Sequence, residues 1–161
     1  MTKDDFIAAA TAAAQASSST SGFPVGITVA QAALESAFGA SELSRVANNY
    51  FGIKGRTGHA DVEFPTIEYL EGAPVRSSAR FAKYDSMLDC FRDRDRMLAT
   101  LAAYRDARAA ARDPEMFARA LARHWATDPG YAEKILSVYR EHGFAALDQS
   151  PVANSQSPAG S

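Results

Sequence analysis

One carboxyl residue in this chain lies inside an apolar helical stretch. Glu35 directly follows Ala32-Ala33-Leu34, near the end of a helix predicted by the spacing of Ile27, Ala30, Leu34 and Phe38. Partial desolvation and the negative end of the helix would both favour the protonated carboxyl. Such a group can act as a general acid and protonate a leaving oxygen. Composition alone favours a plainer interpretation, an exposed glutamate on the polar side of an Ala-rich helix.

A second carboxylate could come from a predicted β-hairpin. Glycoside hydrolysis commonly uses two carboxyl groups that flank the scissile bond. Strand alternation places Glu68 on the face opposite Ile67 and Tyr69. The pattern alone favours solvated side chains here, because charges on edge strands usually face water. The candidates are Asp61, Glu63, Glu68 and Glu71.

Aromatic side chains could bind sugar rings, which present apolar faces. Packing in the core is the alternative for each of them, and it is favoured more for Phe51 and Trp125 than for Tyr131. Tyr131 follows Asp128-Pro129 and falls in a first helical turn. The aromatic candidates are Tyr50, Phe51, Tyr69, Trp125 and Tyr131.

Other chemistries have little support in the sequence. The histidines, His59, His124 and His142, are scattered and Cys90 is the only cysteine, so we predict no metal site and no cofactor. The chain has no Gly-x-Ser-x-Gly motif and no Gly-rich phosphate loop after a strand. With 17 basic and 19 acidic residues it lacks the basic excess of a nucleic-acid binder. No apolar run approaches the length of a membrane span.

The elements that must position these residues are mainly helical. Thr2 is predicted to cap a first helix, with Asp4 and Asp5 in its first turn. This helix includes the Ala-rich segment Phe6–Ala16 and is predicted to break in the cluster Ser17–Gly22. Because its leader is acidic, we interpret this segment as part of the folded domain rather than as a signal peptide. A second helix begins at Pro24 and ends at Gly39, and a short third helix begins at Ser41.

The middle of the chain predicts strands. Val62–Tyr69 and Val75–Phe81 alternate in the manner of strands, and Glu71–Pro74 between them has the composition of a turn. Helical patterns resume at Ser86, then at Asp113-Pro114 with Phe117, Leu121 and His124 on one side, and again at Asp128-Pro129.

Two features of the helix after Ser86 carry specific expectations. The mixed-sign run Arg92–Arg96 predicts a solvated helix face with local ion pairs. Cys90 lies in an apolar run, which predicts a buried thiol.

The length of 161 residues, 47% of them hydrophobic, fits one domain with its own core. We predict a domain over residues 1–148 and a disordered Ser/Pro/Ala/Gly-rich tail over 149–161. The predicted fold class is α+β, mainly α, with one hairpin after the third helix. We expect a monomer.

Four ordered motifs resemble those of the family 73 glucosaminidases, which include the C-terminal domain of the flagellar rod muramidase and many bacterial autolysins. Ala30–Gly39 (AQAALESAFG) resembles the AQAALESGWG-like signature of the family. Ala47–Gly55, Phe81–Ser86 and Trp125–Ile135 resemble three further elements. The match covers roughly Phe6–Phe144. Four motifs in order are far more specific than any one of them.

This resemblance implies a fold and an activity. The fold would be lysozyme-like, with a helical lobe, a small β-hairpin lobe and a substrate cleft between them. The activity would be hydrolysis of the β-1,4 bond between N-acetylglucosamine and N-acetylmuramic acid in peptidoglycan glycan strands. Action on that substrate implies a periplasmic or extracellular location at the cell wall.

The resemblance also assigns residues. Glu35 matches the catalytic glutamate, Glu68 the second carboxylate on the hairpin, and Tyr131 the tyrosine that faces the substrate. The chain departs from the family where Ala37-Phe38 replaces Gly-Trp and where Trp125 replaces a tyrosine. The predicted substrate-binding residues are Tyr131, Gln31, Phe38, Asn49, Tyr50 and Trp125.

Several alternatives stay open at this point. Glu68 could activate water or stabilise the oxocarbenium ion, or the acetamido group of the substrate could attack in its place. The rival activities are a lytic transglycosylase and a non-catalytic module for wall binding or assembly. The biological role could be that of a flagellar accessory, an autolysin, a secreted effector or a phage lysin.

Overall fold

In the computed structural model, which describes residues 1–149, seven helices accompany one antiparallel hairpin. This confirms the predicted fold class. Most of the predicted tail lies outside the described residues. The elements in chain order are α1 Lys3–Ser21, α2 Val25–Ser36, α3 Glu42–Ala47, β1 Asp61–Leu70, β2 Ala73–Ala82, α4 Met87–Thr100, α5 Arg105–Ala109, α6 Pro114–Trp125 and α7 Tyr131–Glu141, with 3₁₀ turns at Ala102–Tyr104 and Phe144–Asp148.

Helix α1 is longer than its sequence predicts. A capping box between Thr2 and Asp5 begins the helix, and Gly22 ends it with a left-handed φ of 75°. The helix continues through Ser17–Ser21 and ends only at Gly22, the last residue of the cluster in which the break is predicted. Ser17 Oγ and Ser21 Oγ donate hydrogen bonds to Asp95 Oδ2 on α4, at 2.6 and 2.7 Å, so these hydroxyls do not compete with the helix backbone.

Helix α2 lies at the centre of the helical lobe, and the 3₁₀ turn Phe144–Asp148 contacts its first turn. Pro24 offers no side-chain cap, and Asp148 Oδ1 accepts from the Gly26 N–H at 2.8 Å instead. Tyr139 Oη donates to the other oxygen of Asp148 at 3.0 Å. A Cβ on Gly26 would lie 2.3 Å from the Phe144 carbonyl oxygen, so only glycine permits this close approach.

The other end of α2 comes earlier than predicted. The helix ends at Ser36, and the next three residues have left-handed φ values, 51° at Ala37, 55° at Phe38 and 79° at Gly39. Ser36 Oγ accepts from the Gly39 N–H at 2.9 Å, which stabilises this turn. The chain therefore turns sharply directly after Glu35-Ser36.

Strands β1 and β2 form a regular hairpin, as predicted. Asp61 pairs with Ala82 at the base and Leu70 pairs with Ala73 at the tip. The turn is narrower than predicted, because only Glu71 and Gly72 lie between the strands, with φ values of 52° and 80°. Two consecutive residues with positive φ are typical of a tight hairpin turn.

The base of the hairpin is fixed to α4 through Asp93. Arg56, which precedes β1, donates to Asp93 Oδ1 at 2.7 Å, and Tyr84, which follows β2, donates to Oδ2 at 2.6 Å. Arg96 adds a hydrogen bond of 2.8 Å from within α4. One carboxylate thus holds both ends of the hairpin.

Helix α4 buries one predicted residue and two unexpected ones. Cys90 is fully buried, as predicted. Arg94 and Asp95 are also buried, with 0% and 4% of their surfaces exposed, so the prediction of a solvated face is wrong for them.

His124 of α6 is exposed, although Phe117 and Leu121 of the same helix are buried. Within residues 1–149 no helix is long and apolar enough to cross a membrane.

Candidate active site

Glu35 occupies the last turn of α2 and is partly buried. Its Oε1 accepts a hydrogen bond of 2.5 Å from the hydroxyl of Tyr131. Its Oε2 faces Gly52, where an added Cβ would lie 3.6 Å away. Burial raises the pKa of Glu35 above its ordinary value, and the hydrogen bond from Tyr131 opposes this only in part. The group therefore has the environment of a carboxyl that keeps its proton to higher pH.

Tyr131 is the first residue of α7, and a short turn aims it at Glu35. Asp128 Oδ1 accepts from the Gly130 N–H at 2.8 Å, and the Asp128 carbonyl accepts from the Tyr131 N–H at 3.1 Å. Tyr131 is only 5% exposed. Burial, with the neighbouring Glu35 carboxylate, raises the pKa of Tyr131, so its hydroxyl stays protonated and can donate.

Behind Tyr131 lies a buried chain of polar groups. Gln31 Nε2 donates to Tyr131 Oη at 3.1 Å, and Gln31 Oε1 accepts from Arg94 Nε at 3.1 Å and Nη2 at 2.8 Å. Arg94 Nη1 also donates to Thr28 at 2.9 Å and to Asp95 at 2.8 Å. Sequence reasoning missed Arg94, although its spacing from Phe91 and Leu98 places it on the buried face of α4.

Asn49 shapes the loop that carries Gly52. Its Nδ2 donates to the carbonyls of Ile53 and Ala82, both at 2.9 Å. Its Oδ1 accepts from the N–H groups of Phe51 and Ile53, at 3.3 and 3.1 Å. Both donors and both acceptor positions of the amide are therefore used within the protein.

The structure does not support direct sugar contact for three predicted residues. Gln31 is 0% exposed and Asn49 is 1% exposed. The oxygen and the nitrogen of each amide form hydrogen bonds within the protein. Tyr50 is 7% exposed, and its ring packs between Phe6 and Phe91. These residues support the site from behind.

The two remaining aromatic candidates lie in different places. Trp125, partly exposed at the end of α6, contacts Phe51 edge-on with ring centroids 6.3 Å apart, and Phe51 directly precedes Gly52. Phe38 packs on His142 at 5.0 Å and on Phe6 at 5.9 Å. His142 follows the end of α7, about 16 Å along the helix from Tyr131 at 1.5 Å per residue. The structure therefore does not bring Phe38 to Tyr131.

Glu68 lies far out on the hairpin. It shares a strand face with Phe64 and Thr66, whose side chains are partly covered, but Glu68 itself is exposed. No described residue gives it a hydrogen bond or an ion pair. It lies seven positions beyond Asp61 at the base, which is about 23 Å of strand at 3.3 Å per residue. Glu68 thus lies near the tip of the hairpin, two positions before the end of β1.

No cluster of three His, Cys, Asp or Glu side chains that could hold a metal ion occurs within residues 1–149.

Comparison with known proteins decides the family. The glucosaminidase family model, described as mannosyl-glycoprotein endo-β-N-acetylglucosaminidase, matches residues 11–144. The chain belongs to this glucosaminidase family. The family and the fold that the four motifs predict are therefore confirmed, and the family is one of glycoside hydrolases.

Two curated relatives of this glucosaminidase domain are longer proteins. This chain is 35% identical to the peptidoglycan hydrolase FlgJ of Pseudomonas aeruginosa over 86% of its own length and 36% of that protein. It is 31% identical to the exo-glucosaminidase LytG of Bacillus subtilis over 76% of this chain and 45% of that protein. The chain thus spans less than half the length of these relatives.

Two solved structures match this chain over most of their own length. The catalytic domain of the autolysin Auto from Listeria monocytogenes is 29% identical with a TM-score of 0.79, over 90% of this chain and 86% of that one. A truncated glycoside hydrolase domain of FlgJ from Salmonella typhimurium is 33% identical with a TM-score of 0.71, over 87% and 97%.

Proposed function

We propose that this glucosaminidase domain hydrolyses the β-1,4 bond between N-acetylglucosamine and N-acetylmuramic acid in peptidoglycan, with Glu35 as general acid. The observation that carries the proposal is the environment of Glu35, a partly buried carboxyl with a raised pKa and an oriented hydrogen bond from Tyr131. The relatives named as peptidoglycan hydrolases support the choice of substrate.

The hydrogen bonds indicate which oxygen of Glu35 carries the proton. Oε1 accepts from Tyr131, so the acidic proton belongs on Oε2. From Oε2 it passes to the glycosidic oxygen as the bond from that oxygen to the anomeric carbon breaks. The resulting Glu35 carboxylate then takes a proton from the water that attacks the anomeric carbon, which restores the acid.

No described residue orients the exposed carboxylate of Glu68 by a hydrogen bond or an ion pair. A nucleophilic carboxylate would lie about 5 Å from the acid, and a general base roughly 6.5–9.5 Å from it. Glu68 lies well out along the hairpin and is exposed. We therefore propose that the acetamido oxygen of the substrate bonds to the anomeric carbon as the glycosidic bond breaks. The attacking water then displaces this oxygen, which returns to the acetamido group. Glu68 acts only if the hairpin closes on the glycan strand.

The test uses purified peptidoglycan and the variant Glu35→Gln, with Glu42→Gln as a matched control on an exposed helical position. We expect release of reducing ends to fall by more than a hundredfold for Glu35→Gln and to stay unchanged for Glu42→Gln. Mass spectrometry of the wild-type products should find reducing N-acetylglucosamine ends. Anhydromuramic ends would indicate a lytic transglycosylase, and no cleavage by the wild type would indicate a wall-binding or assembly module.

A second pair of variants tests the route. Glu68→Gln is compared with Glu63→Gln, a change on the opposite face of the same strand. If the acetamido group attacks, Glu68→Gln should lower kcat less than tenfold. A loss as large as that of Glu35→Gln would mean that the hairpin closes and that Glu68 takes part in the chemistry.

The proposed substrate implies the place of action. Peptidoglycan lies at the cell wall, so we propose that the domain acts in the periplasm or outside the cell.

A further inference from the structure

The hydrogen bonds behind Glu35 can have only one order of donors and acceptors, and Arg94 determines that order. Its guanidinium is fully buried and carries only hydrogen-bond donors. Two of them, Nε and Nη2, point at the same side-chain oxygen of Gln31. The amide of Gln31 must therefore present its oxygen to Arg94, because its NH₂ group there would face two donors.

That orientation of Gln31 determines the orientation of Tyr131. The NH₂ group of Gln31 faces Tyr131 Oη, so the hydroxyl must accept there and donate its only proton elsewhere. The available acceptor is Glu35 Oε1. With Arg94 replaced by an apolar residue, Gln31 could turn its oxygen to Tyr131 and compete with Glu35 for that proton.

Arg94 is held rigidly enough for this role. Asp95 neutralises its charge, and Ser17 and Ser21 of α1 bind the other oxygen of Asp95. The guanidinium also lies over the Phe51 and Phe117 rings, 5.3 and 5.8 Å from their centroids.

We propose that Arg94 is a positioning residue, which acts through Gln31 to aim the Tyr131 hydroxyl at Glu35 and so leaves the acidic proton on the oxygen available to substrate. The proposal rests on the proposed function, since it assigns a role within the same site. It concerns no contact between Arg94 and the substrate.

The main variant is Arg94→Met combined with Asp95→Asn. Arg94→Met alone would leave Asp95 as a buried carboxylate without its counter-charge, which is strongly destabilising, whereas removal of both charges is usually tolerated. The matched control is Arg92→Met, an exposed arginine on the same helix. We expect a fall of roughly tenfold in kcat with little change in KM, the effect of losing one charge-assisted hydrogen bond, and no change in the control.

Two measurements separate positioning from general damage to the fold. The first is the pKa of Glu35, followed by NMR titration of its side-chain carboxyl carbon, which needs no substrate. Loss of the hydrogen bond from Tyr131 should raise this pKa in the double variant and in Tyr131→Phe alike. The second is a mutant cycle, in which Arg94→Met/Asp95→Asn should lower kcat no further in the Tyr131→Phe background.

The outcomes are distinct. An unchanged pKa of Glu35, or an equal loss of kcat with and without the Tyr131 hydroxyl, would overturn the role of Arg94. A wild type that cleaves no peptidoglycan would instead overturn the proposed function, while the pKa comparison would still test the relay.

Gln31→Glu provides a second test if the double variant fails to fold. The new carboxylate keeps the size of the side chain and can still accept from Arg94, but it cannot donate to Tyr131. The Tyr131 hydroxyl would then donate its hydrogen bond to this carboxylate instead of to Glu35. We expect the pKa of Glu35 to rise and kcat to fall roughly tenfold. Full activity in this variant would contradict the proposed relay.

Discussion

Replacing Asp93 by asparagine should loosen the hairpin and reduce stability in a pH-dependent way. Burial alone would raise the pKa of Asp93, but hydrogen bonds from Arg56, Tyr84 and Arg96 outweigh it and lower the pKa from 3.8 to about 2. At about 1.36 kcal/mol per tenfold change in acidity, this corresponds to roughly 2 kcal/mol. Because part of the carboxylate faces solvent, screening reduces our expectation to about 1–2 kcal/mol.

The pH dependence follows from the lowered pKa. A carboxyl that is more acidic in the folded than in the unfolded state stabilises the fold above its unfolded pKa, here 3.8, and loses that contribution as pH falls towards 2. Urea unfolding should therefore find Asp93→Asn less stable than wild type at pH 7, with the difference shrinking between about pH 4 and 2.

Asp89→Asn, one turn earlier on the same helix face but exposed, is the matched control and should be nearly neutral. Because Asp93 holds both ends of the hairpin, kcat/KM on peptidoglycan should also fall for Asp93→Asn. An equal loss of stability at every pH, or none at pH 7, would refute the reasoning from the carboxylate charge.

Three further predictions concern α2 and its neighbours. Tyr131→Phe should lower kcat roughly tenfold and move the alkaline limb of the pH–rate profile to higher pH. In the wild type the hydrogen bond from Tyr131 lowers the pKa of Glu35, so its loss should raise that pKa; a shift of the limb to lower pH would contradict the assignment. Glu35→Gln should raise Tm at neutral pH but not below pH 4.5. Because the pKa of Glu35 is raised in the folded state, its ionised form destabilises the fold at neutral pH, and glutamine removes that charge. Scanning calorimetry at both pH values is the measurement, and an unchanged or lower Tm at neutral pH would contradict the reasoning. Gly26→Ala should cost about 2 kcal/mol or more in urea unfolding, because the new methyl group would meet the Phe144 carbonyl at 2.3 Å; wild-type stability would mean that the C-terminal turn packs elsewhere.

The sequence predicted the family and the general fold because both depend on local strings. The motif around Glu35, the hairpin alternation and the Asp128-Pro129 helix start can each be recognised from a few adjacent residues. The hairpin register also follows from alternation once the turn is placed.

The interior of the site could not be predicted in this way, because it depends on partners distant in sequence. Arg94 reaches Gln31 across 63 positions, and Ser17 reaches Asp95 across 78. Without those partners a run of alternating charges indicates solvent exposure, and a serine cluster indicates a helix end. The same limit explains the prediction for Asn49. The sequence favours its amide as a ligand for sugar, whereas in the fold backbone groups occupy all of its hydrogen-bonding positions.

The carboxylate at the first turn of α2 also has a practical consequence for shortened forms of this protein. The family match ends at residue 144, four positions before Asp148. A fragment trimmed to that limit would keep all four motifs and Glu35 itself. It would nevertheless lose the acceptor for the Gly26 N–H and the partner of the Tyr139 hydroxyl. We therefore expect a fragment that extends through Asp148 to be more stable than one that ends at residue 144.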